Sequence, residues 1–586
     1  MVAGKAEISF DDKAMKGRNM FKTLPKDHRI FMEWNWKKLE PYADDLSKRQ
    51  LTQANVDEWV MDWSDINRVV SEIFARLWVA TTRDTSNPEF KMRFNTFLDE
   101  TLTPSLVANQ AYKEMLLKSG LKPKGFKIPL LNMQVEAEIY RDENLPLLTE
   151  EKKLVNEYDE IIGAQTVEWE GQEVTTTQLM PVYLSPDRSR REKAWRLSME
   201  RRQADRQRLN DLWVTMLDLR GKIARNAGFD DYRAYRWKDL HRFDYTPDDC
   251  TTFHNAIEAV AVPASQRIYE KRRGRLGLSS LRPWDLDVDP FNREALKPYE
   301  TIEELVDRVS VIFHRVDDEL GKYFDIMRTN ELLDLENRKG KAPGAYCSDY
   351  DMVMLPFIFE NAVGLHGDVA TLIHEGGHAF HVFEEAHLPY YHQLSVGMEF
   401  AEVASTSMEL LASPYLLASE GGFYTEKDAA RARIEHLEEM VTFLPYMAVV
   451  DAFQHWAYTH EQAAANPDNC DQEWARLWGR FMIGIDWRGL DEIMVTGWLR
   501  KQHIFEVPFY YIEYGLASMG ALQVWRNALT DQKQAVAAYR RALRLGGTVP
   551  IPELYLTAGA HFAFDAETLG EVIGLAEAKI EEFERV

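Results

Sequence analysis

Apolar residues recur at intervals of three and four along much of the chain, a pattern typical of helices that bury one face. Over residues 56–80 the apolar stripe would contain Val60, Trp63, Ile66, Val69, Ile73 and Leu77. Similar periodicity covers residues 94–117, 154–162 and 188–224, and it returns from Asp368 to the end of the chain. The pattern predicts a mainly α fold built from many helices.

Strand-like alternation is confined to short segments. The stretch TVEWEGQEVTTTQ predicts a hairpin of residues 166–168 against residues 173–175, with its turn at Glu170 and Gly171. Two β-prone runs, 345–347 and 352–359, come directly before the helical segment that begins near Asp368. We therefore expect a small β-sheet beside that helix.

The chain is longer than one hydrophobic core usually organises, since it has 586 residues. We expect an N-terminal helical lobe over residues 1–200 and a second, catalytic lobe over residues 201–586, with a cleft between them. Proline and glycine are frequent in residues 274–299, which look like a loop-rich crossing between lobes.

Charge and cysteine usage exclude several classes of function. The chain carries 70 Lys and Arg against 94 Asp and Glu, a formal charge of −24, which repels nucleic acid and anionic membranes. Its basic run at 188–202 is interrupted by Glu192 and Glu200 and predicts a solvated helix face. There is no apolar stretch of the roughly 20 residues that a membrane helix needs, and no secretory signal is evident at the N-terminus. With only three cysteines, far apart, we expect a cytoplasmic protein without disulfides.

The segment GDVATLIHEGGHAFH carries the clearest candidate chemistry. If Asp368 caps the helix, His374 and His378 lie one turn apart on one face and can bind a single tetrahedral Zn²⁺. Glu375 then lies at the flank of the pair, where it can act as the general base on water. Gly376 and Gly377 weaken the helix, so we expect substrate or a neighbouring helix to approach closely there.

A later helical segment, SVGMEFAEVASTSMELL, offers the third ligand. Glu402 is the favoured ligand, because Ala401, Val403 and Ala404 around it predict a buried position, and Glu399 is its rival. Glu409 lies two turns beyond Glu402 and could accept a hydrogen bond from a ligand imidazole. His381 is interpreted as a cleft or packing residue, and no catalytic role is expected for Cys347.

With these residues in place, the chain resembles the oligoendopeptidase F branch of the thimet oligopeptidase family of zinc metallopeptidases. HEGGH matches the family's zinc helix, and AEVAST, which contains Glu402, is similar to the phrase that holds its third ligand. The GAYC and PFI segments before the zinc helix and HIFEVPFYYIEYG near the end are also similar to the family. The resemblance implies a large multi-helix zincin with two lobes around a deep substrate cleft, one Zn²⁺ per chain and no other cofactor.

The resemblance also implies how peptides bind and react. His503, Tyr511 and Tyr514 would donate hydrogen bonds to the carbonyl oxygen that becomes an oxyanion, with Tyr510 as an alternative to Tyr511. The implied substrates are short unstructured peptides cleaved at internal bonds, bound as an added strand on the edge of the PFIFEN segment. The oligomeric state and the preferred side chains stay open.

Two other functions remain possible on the residues alone. A zinc exopeptidase of the carboxypeptidase or dipeptidase type would use the same motif but would also need a group that recognises a chain end. A non-catalytic helical scaffold that binds peptides and keeps a degenerate zinc site is the alternative from another class. A peptide with both ends capped separates the endopeptidase from the exopeptidase.

Overall fold

The computed structural model describes residues 20–586, except for the side chain of Thr177. The chain folds into two compact units, each of which is built from three stretches of the sequence. Unit 1 contains Met1–Ala137, Lys297–Ala429 and Gly520–Phe562, and unit 2 contains Glu138–Leu296, Ala430–Met519 and Ala563–Val586. The predicted division into lobes at residue 200 stays a prediction.

Most of the described chain is helical, which confirms the predicted mainly α class. The helices before residue 300 are α1 (His28–Phe31), α2 (Trp36–Lys48), α3 (Val56–Arg83), α4 (Pro88–Phe97), α5 (Thr103–Ser119), α6 (Lys127–Ile139), α7 (Leu145–Gly163), α8 (Met180–Tyr183), α9 (Arg188–Ala204), α10 (Arg206–Asn226), α11 (Tyr232–Asp239), α12 (Pro247–Ala259) and α13 (Ala261–Arg275). A π-helical turn, Leu98–Leu102, joins α4 to α5.

The later helices are α14 (Ile302–Val316), α15 (Asp318–Thr329), α16 (His366–Glu385), α17 (Met398–Ala412), α18 (Glu426–Thr459), α19 (Glu461–Ala464), α20 (Pro467–Phe481), α21 (Asp491–Val495), α22 (Gln502–Glu506), α23 (Tyr511–Thr530), α24 (Gln532–Leu543), α25 (Ile551–Ala558) and α26 (Ala566–Phe583). None of the helices in residues 20–586 combines the length and the apolar character needed to cross a membrane.

Residues 20–586 also include five short strands. In unit 2, β1 (Thr166–Trp169) and β2 (Gln172–Thr175) form the predicted hairpin, with Thr166 opposite Thr175. In unit 1, β3 (Leu333–Glu336), β4 (Tyr346–Tyr350) and β5 (Leu355–Ala362) form a sheet in the order β3-β5-β4. β5 runs parallel to β3 and antiparallel to β4, and it packs on α16 as predicted.

The position of β5 corrects one expectation. The PFIFEN segment lies in the central strand, where β3 and β4 occupy both of its edges. A peptide therefore has no edge of PFIFEN to pair with. β4 is an edge strand of this three-stranded sheet, and Tyr346 and Tyr350 on one of its faces contact Trp78 and Arg76 of α3. Its other face, with Cys347 and Asp349, is turned to the opposite side because side chains alternate along a strand.

The core of unit 1 forms around α3, whose apolar stripe was predicted over residues 56–80. Trp59 and Trp63 are fully buried and meet Tyr112 of α5 edge to face. Ile66, Val69 and Ile73 continue the same buried stripe along α3. The periodicity thus identified the face that packs inward.

In unit 2 the predicted helical run at 188–224 divides at Asp205. Its carboxylate accepts hydrogen bonds from Arg201 and from Gln165, which fixes the chain at the junction of α9 and α10. The expectation of a solvated basic face is wrong at Arg191. This guanidinium is buried and pairs at 3.0 Å with the buried carboxylate of Asp285.

Candidate metal centre

The zinc-motif helix α16 begins three residues earlier than expected. Asp368 is therefore the third residue of the helix rather than its cap. Its carboxylate accepts hydrogen bonds from the backbone N–H groups of Val363, Gly364 and Leu365 at 2.8–2.9 Å. Tyr299 donates to the same oxygen at 2.5 Å. These bonds connect the end of β5 firmly to the start of α16, so the sheet and the helix are fixed relative to each other.

Three of the predicted ligands come together in unit 1. His374 Nε2 lies 3.6 Å from Glu402 Oε2, and His378 Nε2 lies 3.9 Å from the same oxygen. The three ligand atoms all lie within 4.8 Å of one another. Two imidazole nitrogens and one carboxylate oxygen are the donor set of many catalytic zinc sites, which leave a coordination position open.

Glu409 contacts the first candidate ligand, His374. His374 Nδ1 lies 2.7 Å from Glu409 Oε1, which is the contact expected from the two-turn spacing of Glu402 and Glu409. A carboxylate in this position accepts the hydrogen of Nδ1, which leaves Nε2, on the side of Glu402, as the nitrogen that can bind a metal. The arrangement fixes both the tautomer and the orientation of the ring.

The two glycines of HEGGH are explained by close packing. A Cβ atom on Gly377 would lie 2.5 Å from Ser405 Cα and 2.7 Å from Ala404 O, both in α17. A Cβ atom on Gly376 would lie 2.5 Å from the ring of Phe313. Gly377 is therefore required by close packing against α17 and not by substrate. The contact brings α17, and with it Glu402, against the two histidines.

Glu375 lies beside this group with its own electrostatic environment. It is buried, and burial raises its pKa to about 7, with the charge of Glu402 acting in the same direction. The charge of His374 and the backbone amide of Cys347 on β4 oppose the increase. A carboxyl group with a pKa near neutrality can both accept and return a proton at physiological pH.

The charges around the histidines favour a cation. Burial alone would lower the pKa of His374, but its hydrogen bond to Glu409 and the charges of Glu409 and Glu402 raise it to about 9. Burial lowers the pKa of His378 to about 3. One ring would thus hold a proton to balance the surrounding carboxylates, a role that a metal ion can take over. The donor set, the fixed tautomer and the excess of negative charge all fit Zn²⁺.

The other candidates of this region occupy different positions. Glu399, the rival ligand, is buried but is not in the group of ligand atoms within 4.8 Å. His381 is 7% exposed and its Nε2 lies 3.8 Å from Glu385 Oε2. The Cys347 thiol is half-buried, and its pKa is raised by burial and by the charges of Asp349 and Glu375.

Sequence reasoning missed a second group with metal-ligand chemistry, in unit 2. Cys250, Asp451 and His455 have ligand atoms within 4.8 Å of one another, and His254 Nε2 lies 2.8 Å from Asp451 Oδ2. His455 Nδ1 lies 3.4 Å from Arg233 Nη1, which can only donate. The Nδ1 atom of His455 therefore accepts, and Nε2 of the same ring lies 3.3 Å from Asp451 Oδ2 but makes no hydrogen bond in the described chain. The sequence did contain one signal for this group. Cys250 and His254 are four residues apart in α12, and Asp451 and His455 are four residues apart in α18.

His503 and the candidate tyrosines form an aromatic group in unit 2. The ring centroid of His503 lies 4.9 Å from Tyr511, 5.8 Å from Tyr514 and 6.0 Å from Tyr510. Burial and the charge of Lys501 lower the pKa of His503 to about 4, so the ring is neutral at physiological pH. Lys501 Nζ donates to Tyr511 Oη at 2.8 Å, which leaves the phenolic hydrogen of Tyr511 available for another acceptor.

The backbone before these tyrosines is held in an unfavourable conformation. Phe509 has φ +68°, which is rare for a bulky side chain. Its N–H donates to Gln454 Oε1 at 2.8 Å, and its carbonyl accepts from Arg242 Nη2 at 2.6 Å. Arg242 also pairs with Glu513 of α23 at 2.7 Å. The buried side chains of Gln454 and Arg242 thus fix the start of α23, where the tyrosines lie.

Known proteins resemble this chain in sequence and in structure. An oligoendopeptidase F homologue of Borreliella burgdorferi is 23% identical over 353 residues, which are 58% of this chain and 57% of the relative. Oligopeptidase PepF of Bacillus subtilis is 25% identical over 329 residues, 56% of this chain and 47% of the relative. The match thus spans about half the length of these two relatives.

The structural similarity is more extensive. A solved structure of PZ peptidase A with an inhibitor superposes with a TM-score of 0.84 at 27% identity and covers 96% of this chain and 99% of that one. The model of peptidase family M3, a zinc metallopeptidase family, matches residues 182–572, which include every predicted site residue. This chain therefore belongs to peptidase family M3.

Proposed function

We propose that the protein is a zinc-dependent oligoendopeptidase that hydrolyses internal bonds of short unstructured peptides. The observation that carries the proposal is the meeting of His374, His378 and Glu402 within 4.8 Å. Membership of a zinc metallopeptidase family and the names of the relatives support the same activity.

His374, His378 and Glu402 would hold one Zn²⁺, and Glu409 would keep the ring of His374 in place. A bound zinc ion supplies Lewis acidity, which lowers the pKa of water from 15.7 to about 7 and polarises a carbonyl. Glu375 is the proposed general base, because it adjoins His374 in the helix and is buried beside the proposed ligands. It takes the proton of the attacking water and delivers it to the departing amine nitrogen.

His503, Tyr511 and Tyr514 are the proposed hydrogen-bond donors to the oxyanion, on the family resemblance. The neutral ring of His503 can donate one N–H, and Tyr511 keeps its phenolic hydrogen because its oxygen accepts from Lys501. Donors of this kind stabilise the negative charge that develops in the transition state. Tyr511 is the buried tyrosine of the group, whereas Tyr510 and Tyr514 are half-buried.

The test uses a short internally quenched peptide with an acetylated N-terminus and an amidated C-terminus. The zinc-loaded protein should cleave it at an internal bond, identified by mass spectrometry of the products, and a chelator should stop the reaction. Cleavage only after a free terminus is restored would support the exopeptidase instead. Efficient cleavage of a stable folded protein would contradict the restriction to unstructured peptides.

A further inference from the structure

Lys501 of unit 2 is a half-buried lysine whose ammonium group has no acidic partner in residues 20–586. Its Nζ atom donates to Tyr511 Oη at 2.8 Å, the single side-chain hydrogen bond of Lys501 in that part of the chain. The same atom lies 4.0 Å from the ring centroid of Tyr511 and 5.5 Å from that of Tyr446. An ammonium group in these surroundings costs free energy, because burial removes water and no carboxylate replaces it.

The backbone of Lys501 holds the side chain in this place. Its N–H donates to the carbonyl of Trp498 at 3.1 Å, and its own carbonyl accepts from the N–H of Ile504 in α22 at 3.0 Å. Trp498 is fully buried, and its indole N–H donates to Asp471 Oδ1 at 2.8 Å. The ammonium group therefore reaches Tyr511 from a fixed position.

The contact with Lys501 restricts the direction in which the Tyr511 hydroxyl can donate. An ammonium group only donates, so the phenolic oxygen accepts and its own hydrogen is directed away from Lys501. In the described chain this hydrogen has no acceptor. The ring is buried and packs on Phe443 at 5.5 Å and on Tyr446 at 6.0 Å. A fixed donor without an acceptor is what an oxyanion site needs before the reaction begins.

The charge of Lys501 is suited to a reaction in which negative charge develops. Burial and the charge of the adjacent Arg500 lower the pKa of Lys501 to about 7. An oxyanion that accepts from Tyr511 lies one hydrogen bond beyond the phenol and stabilises the ammonium form. The positive charge is therefore disfavoured in the resting protein and stabilised when the oxyanion forms. An interaction that strengthens in the transition state raises kcat.

We propose that Lys501 is a positioning residue that makes Tyr511 the principal hydrogen-bond donor to the oxyanion. Its ammonium group orients the phenolic hydrogen and strengthens the hydrogen bond that Tyr511 donates as negative charge develops. No proton is transferred, since the ammonium group and the phenol both keep their hydrogens. The proposal rests on the proposed peptidase function and adds to it the residue that supports Tyr511. Both residues belong to unit 2.

The experiment measures kcat and KM for a capped quenched peptide in wild type, Lys501→Met, Tyr511→Phe and the double variant. Methionine keeps an unbranched side chain and removes the charge and the donor. Lys501→Met should lower kcat about 10- to 100-fold, the value of a hydrogen bond to a charged group, with KM and zinc content unchanged. In the Tyr511→Phe background the same substitution should have little further effect, because Lys501 acts through the phenol.

A phosphinic peptide, which resembles the tetrahedral intermediate, provides a readout that a packing role would not change. Lys501→Met should weaken its binding by about the factor by which kcat/KM falls, while KM for the substrate stays at the wild-type value. Lys501→Arg keeps a positive charge and a donor and should retain more activity than Lys501→Met.

The control variant is Lys152→Met, which removes an exposed lysine of α7 in the same unit and should leave kcat and zinc content unchanged. Three results would overturn the inference and leave the peptidase proposal intact. The first is wild-type kcat in Lys501→Met. The second is an equal loss of activity from Lys501→Met with and without Tyr511→Phe, because Lys501 would then act independently of Tyr511.

The third is a lower temperature of thermal unfolding in Lys501→Met together with equal losses of affinity for the phosphinic peptide and for the substrate. That result would make Lys501 a packing residue. Failure of wild type to cleave any peptide would overturn the proposed function itself, and with it the role of Lys501.

Discussion

Gly377 of α16 lies so close to Ser405 of α17 that a Cβ atom on the glycine would be 2.5 Å from the Cα atom of the serine. Gly377→Ala should therefore separate the two helices, move Glu402 away from the histidines and destabilise the fold by roughly 1–3 kcal/mol or more. The temperature of thermal unfolding and the affinity for zinc should both decrease.

The matched control is Gly367→Ala, in the first turn of the same helix. A Cβ atom there meets nothing within 4 Å, so the variant should be as stable as wild type or slightly more stable. Equal stability of the two alanine variants would refute the explanation of Gly377 by close packing.

Glu409→Ala should weaken zinc binding about 10- to 100-fold, because the Nδ1 atom of His374 loses the acceptor that fixes its tautomer. Competition with a chromophoric chelator measures the affinity. Glu303→Ala, an exposed position of α14, serves as the control. Unchanged affinity in Glu409→Ala would show that the contact does not orient the ligand.

Glu360 of β5 should make the stability of the protein depend on pH. It is 3% exposed, its carboxyl oxygens have no partner in the described chain, and burial raises its pKa to about 9. Between about pH 5 and 9 the folded state holds a proton that the unfolded state has lost, so stability falls as pH rises, by at most about 1.4 kcal/mol per pH unit.

Glu360→Gln should remove this part of the decrease, as urea unfolding across the same pH range would show. Glu336→Gln changes an exposed acid of β3 in the same sheet and should keep the wild-type pH dependence. Parallel pH profiles for wild type and Glu360→Gln would contradict the assignment of a neutral buried acid.

Gln454→Leu should lower peptide turnover without changing zinc content. The variant leaves the buried N–H of Phe509 without its acceptor, which costs about 1–3 kcal/mol and releases the strained backbone before the tyrosines. Kinetics and metal analysis on the same preparation give the result. Gln207→Leu, at an exposed position of unit 2, is the control, and equal turnover in both variants would argue against a positioning role.

Local patterns in the sequence were sufficient to predict several elements of the structure. The spacing of His374 and His378 depends only on helix geometry, and the hairpin of β1 and β2 depends on its own turn at Glu170 and Gly171. The apolar neighbours of Glu402 indicated a buried acid, and the structure places its carboxylate against both histidines. The start of α16 was predicted three residues too late, because an acid such as Asp368 can serve either as the helix cap or as the third residue of the helix.

Features that depend on distant segments could not be predicted. β3 has four residues and pairs in parallel with a strand more than twenty residues later. No turn in the sequence therefore indicates this pairing. That pairing is also why PFIFEN is a central strand and not an edge. The group of Cys250, Asp451 and His455 joins segments about 200 residues apart, and only the fold brings them together.

Metal content and turnover measured together on wild type and on Glu375→Gln test the central claim most directly. We expect one zinc ion per chain in both proteins, cleavage of a capped peptide by wild type, and turnover by the variant that is lower by several orders of magnitude. Wild-type turnover in Glu375→Gln, or a wild-type protein that binds no zinc at His374, His378 and Glu402, would contradict the account.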